Sequence, residues 1–185
     1  MNSLHVVTLL ALFTGAIAPT CCQAQETVKP ALAHTHNEFN FAVHAPYERV
    51  FPLFGALEEK KWSPGWNPQF IYPSPASDQQ GMVFTVEHAG MSSVWTNTAL
   101  DAARGHVQYV YIVNNALVTL LDIHVAKAGG TETEVSVVYQ RTALTPEANE
   151  HAAQFAKGDA KAGPDWAKAI NGYLTKAPTA PANSK

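Results

Sequence analysis

The residues able to do chemistry are few, and their spacing says where they point. Asp122-Ile123-His124 sets a carboxylate and an imidazole two residues apart, on one face of a strand, as an acid/base pair requires. Leu121, Ile123 and Val125 alternate with them. The apolar set belongs in the core, so the pair is expected on the outer face. His88 ends the run Met82 to His88, in which Met82, Phe84 and Val86 share its face. If that face lines a cavity, His88 can move a proton near neutral pH; the plainer reading is a strand-end histidine in water or bonded to backbone. His34 and His36 place two imidazoles on one strand face, which suits a metal. No third ligand is evident nearby, and a solvated strand end is the simpler account. Tyr109, Tyr111 and Tyr139 offer hydroxyls, although sheet tyrosines more often pack.

No Gly-x-Ser-x-Gly, phosphate loop, His-Glu-x-x-His or dinucleotide fingerprint occurs. No catalytic residue, metal ligand or cofactor is therefore assigned. Trp62-Ser63-Pro64-Gly65-Trp66-Asn67-Pro68 is the most distinctive stretch. Its prolines and glycine dictate a stiff loop. Its two indoles are too large to stand exposed without reason. They either cap a cavity mouth or plug the loop against the preceding helices. Trp95 reads as core or cavity wall.

The elements that hold these residues are mostly strands. Thr35 to Val43 alternates as a first strand. Ala45-Pro46 opens a helical stretch in which Tyr47, Val50, Phe51, Phe54 and Leu57 keep helical spacing. Pro52 lies inside it, so two short helices with a bend are expected. Glu58-Glu59-Lys60-Lys61 reads as a solvated face. Phe70-Ile71-Tyr72 is a short strand closed by Pro73. From Gly81 to Leu144, five strand runs alternate with turns at Ala89-Gly90, Asp101 to Gly105, Asn114-Asn115 and Ala128-Gly129-Gly130. Consecutive strands should be neighbours in the sheet. In the last run Val135, Val137 and Tyr139 face one way, and Glu132, Glu134, Ser136 and Gln140 the other. Thr145-Pro146-Glu147 then starts a helix with a hydroxyl cap, an early proline and an acid at the positive end. Trp166, Ile170, Tyr173 and Leu174 form an amphipathic stripe, so a long C-terminal helix is expected, kinked or broken near Gly163.

The chain has 185 residues, of which 46% are apolar, enough for one domain with a real core. Its net charge of −3 leaves no basic footprint for nucleic acid. No run reaches the ~20 apolar residues of a membrane span. Val6 to Ala18 is largely apolar, and no Asp, Glu, Lys or Arg precedes Glu26. That pattern fits a secretory signal segment cleaved after Ala24, despite the lack of an early Lys or Arg. The divisions expected are residues 1–24 as signal peptide, 25–34 as tether, 35–175 as the domain and 176–185 as a disordered tail. Cys21 and Cys22 would leave with the signal, so the mature protein would have no thiol. Ala18-Pro19-Thr20 before Cys21 matches a lipidation signal poorly. Localisation is expected to be periplasmic or secreted.

The order of strand, two short helices, strand run and long helix is an α+β arrangement. It resembles the helix-grip fold of the START/Bet v 1-like, or SRPBCC, superfamily, which includes polyketide cyclase-like proteins. Ala45-Pro46 with Val50 to Phe54, the Trp62 to Pro68 motif, Gly81 to Thr85, Trp95, Gly130-Thr131, Tyr139 and Thr142 to Leu144 carry the resemblance, from about Phe39 to Leu174. It implies a curved antiparallel sheet around the C-terminal helix, with a cavity between them for an apolar or amphiphilic small molecule. No one activity belongs to such a fold. Trp62, Trp66, Phe84, His88, Trp95 and Tyr139 are the candidate ligand-binding residues. Non-enzymatic binding of an apolar small molecule is the favoured reading. A cyclase/aromatase-type enzyme using His88 or a tyrosine is one alternative, and a structural module with a filled core is another.

Overall fold

The computed structural model describes residues 30–88 and 90–176, with the His88 side chain outside that description. The signal-like segment, its cysteines and the tail from Ala177 lie outside the described residues. Seven strands form one antiparallel sheet: β1 (His34–Val43), β2 (Gln69–Tyr72), β3 (Val83–His88), β4 (Met91–Asp101), β5 (His106–Val113), β6 (Leu117–Lys127) and β7 (Thr133–Ala143). Their order is β1-β7-β6-β5-β4-β3-β2, so every consecutive pair from β2 onward is adjacent and β1 closes against β7. β1 starts one residue earlier than the sequence pattern suggested.

Alternation decides which face is buried. Leu121, Ile123, Val125, Val135, Val137 and Tyr139 are all buried, while Glu134 is exposed and Glu132 and Gln140 partly so. α1 (Tyr47–Val50) runs into a 3-10 turn at Phe51–Phe54 that takes Pro52 near its start, and a second 3-10 turn spans Glu58–Lys61. This is the bent helical pair expected from Pro52, since its ring cannot continue an α-helix.

The C-terminal helix differs from expectation. It is two helices, α2 (Asn149–Asp159) and α3 (Ala162–Lys176), parted at Ala160-Lys161 rather than at Gly163. Gly163 sits in the first turn of α3, where a Cβ would come 3.2 Å from the Phe39 ring. The glycine serves close packing there, and no break follows from it. Thr145 does not cap the start by its side chain; a 3-10 turn at Pro146–Ala148 intervenes. α3 packs mainly over β1, and α2 over β1 and β7. No helix among the described residues is long and apolar enough to cross a membrane.

Candidate functional site

The four tryptophans divide into two clusters. Trp62 and Trp166 meet edge to face at 5.4 Å. Around Trp166 stand Phe39, Phe41, Phe54 and Tyr139, with ring centres 5.7 to 6.5 Å away. The space between the sheet and α3 is thus occupied by the protein's own rings. Trp62 is buried and donates its indole N–H to the Leu53 carbonyl at 2.7 Å. It plugs the loop against the first helical turns and stands away from the cleft described next.

Trp66 and Trp95 form the other cluster, at 5.3 Å. They line a cleft of ≈ 240 Å³ together with Ser63, Pro64, Gly65, Val86, Met91, Ser93, Tyr111, Val113 and Phe155. Trp66 combines both roles weighed from the sequence. Its N–H is tied to the Ala56 carbonyl at 2.8 Å, and its ring walls the cleft. Trp95 stacks on Tyr111 at 3.6 Å and donates to Ser93 Oγ at 2.8 Å. Phe84 is fully buried behind Trp95, stacked at 5.8 Å, and supports the wall without lining it. A shallower depression of ≈ 390 Å³ shares Met91 and Phe155 with the cleft and adds His151, Gln154, Gly158 and Asp159 along α2. Of the six candidates, the fold brings Trp66 and Trp95 to the opening. Tyr139 and Trp62 go to the filled core, Phe84 stands behind the wall, and His88 closes β3 with its side chain outside the described residues.

Behind Tyr111 lies a buried polar centre. Arg141 holds Asp159 through two hydrogen bonds, Nε to Oδ2 at 2.9 Å and Nη2 to Oδ1 at 2.8 Å. Its Nη1 donates to the Tyr111 hydroxyl at 2.6 Å and to Thr119 Oγ1 at 3.0 Å. The guanidinium lies 4.7 Å from the Tyr139 ring centre and 4.8 Å from that of Phe155. Burial opposes its charge, but the bonds and charge of Asp159 outweigh this, and its pKa stands above the ordinary arginine value. This centre ties the end of α2 to the sheet and fixes the two rings, Tyr111 and Phe155, that bound the cleft. The sequence did carry a signal. Arg141 follows Val135, Val137 and Tyr139 at the same period of two, so a charge on the inner face could have been read.

Glu59 overturns the solvated reading of its charged run. The residue is partly buried. Burial first, and then the negative charge of Asp78, push its pKa up to about 8. Asp78 accepts the Leu57 N–H at 3.0 Å, and its own pKa is raised chiefly by burial. Gly55 makes that approach feasible, because a Cβ there would fall 2.3 Å from Asp78 Oδ2. Tyr109 donates to the Phe54 carbonyl at 2.9 Å. Burial, then the charges of Glu59 and Asp78, lift its pKa well above the ordinary tyrosine value.

The outer face carries the Asp122–His124 pair, as alternation required, with His106 beside it. His34 bonds Thr142 Oγ1 through Nδ1 at 2.9 Å, and His36 stands 4.0 Å from Glu38.

The architecture is a helix-grip, Bet v 1-like fold: one curved antiparallel sheet, two short helical pieces after the first strand, and a helical C-terminal section. Norcoclaurine synthase from Thalictrum flavum, solved with dopamine and hydroxybenzaldehyde, superposes with a TM-score of 0.59 at 12% identity, covering 94% of this chain and 100% of that one. Ara h 8.0201 gives 0.56 at 16% identity, over 78% and 100%. An uncharacterized protein from Rhizobium leguminosarum gives 0.56 at 13%, over 80% and 98%. No protein-family model and no curated sequence matches the chain.

Proposed function

We propose that the protein is an exported binder of a small apolar or amphiphilic molecule, held in the cleft between Trp66, Trp95, Tyr111 and Phe155. The observation that carries this reading is the aromatic wall around an opening of ≈ 240 Å³. A cavity of about 150 Å³ accepts benzene, and drug-sized ligands occupy ~300–1,000 Å³. The cleft therefore suits one substituted ring or a compact bicycle. Indoles and phenols give such a body large contact area at little entropic cost. The adjoining depression offers His151 and Gln154 to a polar end. One structure of the same fold holds dopamine and hydroxybenzaldehyde, ligands of this class. Export to the periplasm or medium rests on the apolar Val6 to Ala18 segment.

Native mass spectrometry of protein from its own organism tests the main reading and export together. The expected species starts near Gln25, lacks both cysteines and carries a small molecule that solvent extraction releases. A full-length cytosolic chain would overturn export. A ligand-free protein that also ignores a panel of aromatic acids, quinones and flavonoids would overturn binding.

A further inference from the structure

We propose that His106, Asp122 and His124 form a binding site for a borderline divalent cation, of the zinc, copper or nickel class, on the outer face of the sheet. The strands assemble it. β5 and β6 pair so that His106 lies directly opposite His124. Val125 N–H bonds the Gly105 carbonyl at 2.7 Å, which makes the next pair, His106 and His124, the close, non-hydrogen-bonded kind. Gly105 permits this start to β5: its φ is +64°, and a Cβ would meet the Val125 carbonyl oxygen at 2.0 Å. The two imidazoles consequently stack in parallel, 4.7 Å apart with planes within 5°. Asp122 sits two residues before His124 on the same face. Its Oδ1 is 2.6 Å from His106 Nε2, and its Oδ2 is 3.6 Å from His124 Nε2.

Two imidazoles thus aim one nitrogen each at a single carboxylate. All three donor atoms lie within 4.8 Å of one another. A metal bound at 2.0–2.1 Å by nitrogen and about 2.1 Å by oxygen needs donors no more than ~4.2 Å apart. The His124 ring is 57% exposed, and turning it out of its stack with His106 brings its nitrogen to the same ion. Imidazole with carboxylate suits zinc, copper and nickel, whereas magnesium and calcium prefer oxygen alone. Three protein ligands leave a fourth position for water or a ligand atom. The site lies on the opposite face from the aromatic cleft and does not depend on its reading.

The test is isothermal titration of the mature chain from Gln25, which lacks Cys21 and Cys22, first with Zn²⁺ alone and then with Cu²⁺ alone, followed by the copper EPR spectrum. His106→Ala, His124→Ala and Asp122→Asn are titrated alongside, with circular dichroism to confirm folding. His36→Ala is the control. The expected result is one equivalent bound, a nitrogen-coordinated copper signal, and at least ~10-fold weaker binding in each site variant, since even an outer-shell partner's loss costs that much. Asp122→Asn keeps the shape of its side chain and so separates lost ligation from lost fold. Binding that survives in His106→Ala and His124→Ala, or that falls only in His36→Ala, would overturn the proposal. So would a wild-type chain that takes up no metal.

Discussion

Replacing Glu59 by Gln should change the pH dependence of stability more than any other single carboxyl substitution. The folded protein holds the Glu59 proton up to about pH 8, whereas the unfolded chain releases it near 4.5. Between those values the folded state binds more protons, so stability must fall as pH rises. At 1.36 kcal/mol per pKa unit, the limiting loss across that window is ~5 kcal/mol. Asp78, also raised by burial, contributes in the same direction at the acid end. Glu59→Gln keeps the shape and removes the proton. Urea unfolding at pH 5 and pH 8.5, on wild type and variant, reads the difference. The variant should be more stable than wild type at pH 8.5, by up to ~5 kcal/mol on the same scale, and the advantage should vanish at pH 5. Parallel stability curves, offset by a constant amount at both values, would refute the raised Glu59 pKa.

The other predictions concern the packing that holds the cleft. Asp159→Ala should cost ~3–5 kcal/mol by leaving the Arg141 charge buried and unpaired. Replacing the pair with Arg141→Met and Asp159→Leu should cost far less, and urea midpoints decide between the two outcomes. Trp166→Ala should lose ~3 kcal/mol, the lower end for a large aromatic because part of the indole is accessible. A change within ±0.5 kcal/mol would place that ring on the surface.

The fold was legible wherever one face of a strand is wet. β7 shows it: Val135, Val137 and Tyr139 alternate with Glu134 and Gln140, and the burial follows. Pro52 likewise announced the bend it makes. What stayed hidden depends on partners far along the chain. Glu59 sits in an ordinary charged run, and only the burial and the Asp78 charge that the fold brings to it raise its pKa. The helix parts just beyond Asp159, whose carboxylate Arg141 holds to the sheet, a contact over 18 residues that no local pattern announces. His106 joins Asp122 and His124 only once the Asn114-Asn115 turn, with φ of 47° and 54°, fixes the register of Val113 opposite Leu117. Aromatic mass singles out the candidate ligand residues, but it does not tell a ring that fills a core from one that lines an opening. Trp62 and Trp66, four residues apart, divide on that point because their indoles anchor to different carbonyls, Leu53 and Ala56.

The most direct test of ligand binding uses that division. Trp66 and Trp95 line the cleft, whereas Trp62 and Trp166 lie in the filled core. Fluorescence titration of wild type and of a Trp66→Phe/Trp95→Phe variant with single-ring and two-ring aromatic acids separates the two clusters. Saturable quenching should appear in wild type and be lost from the core indoles left in the variant. Quenching that persists unchanged in the variant, or none in either protein across the panel, would contradict a ligand site in the cleft.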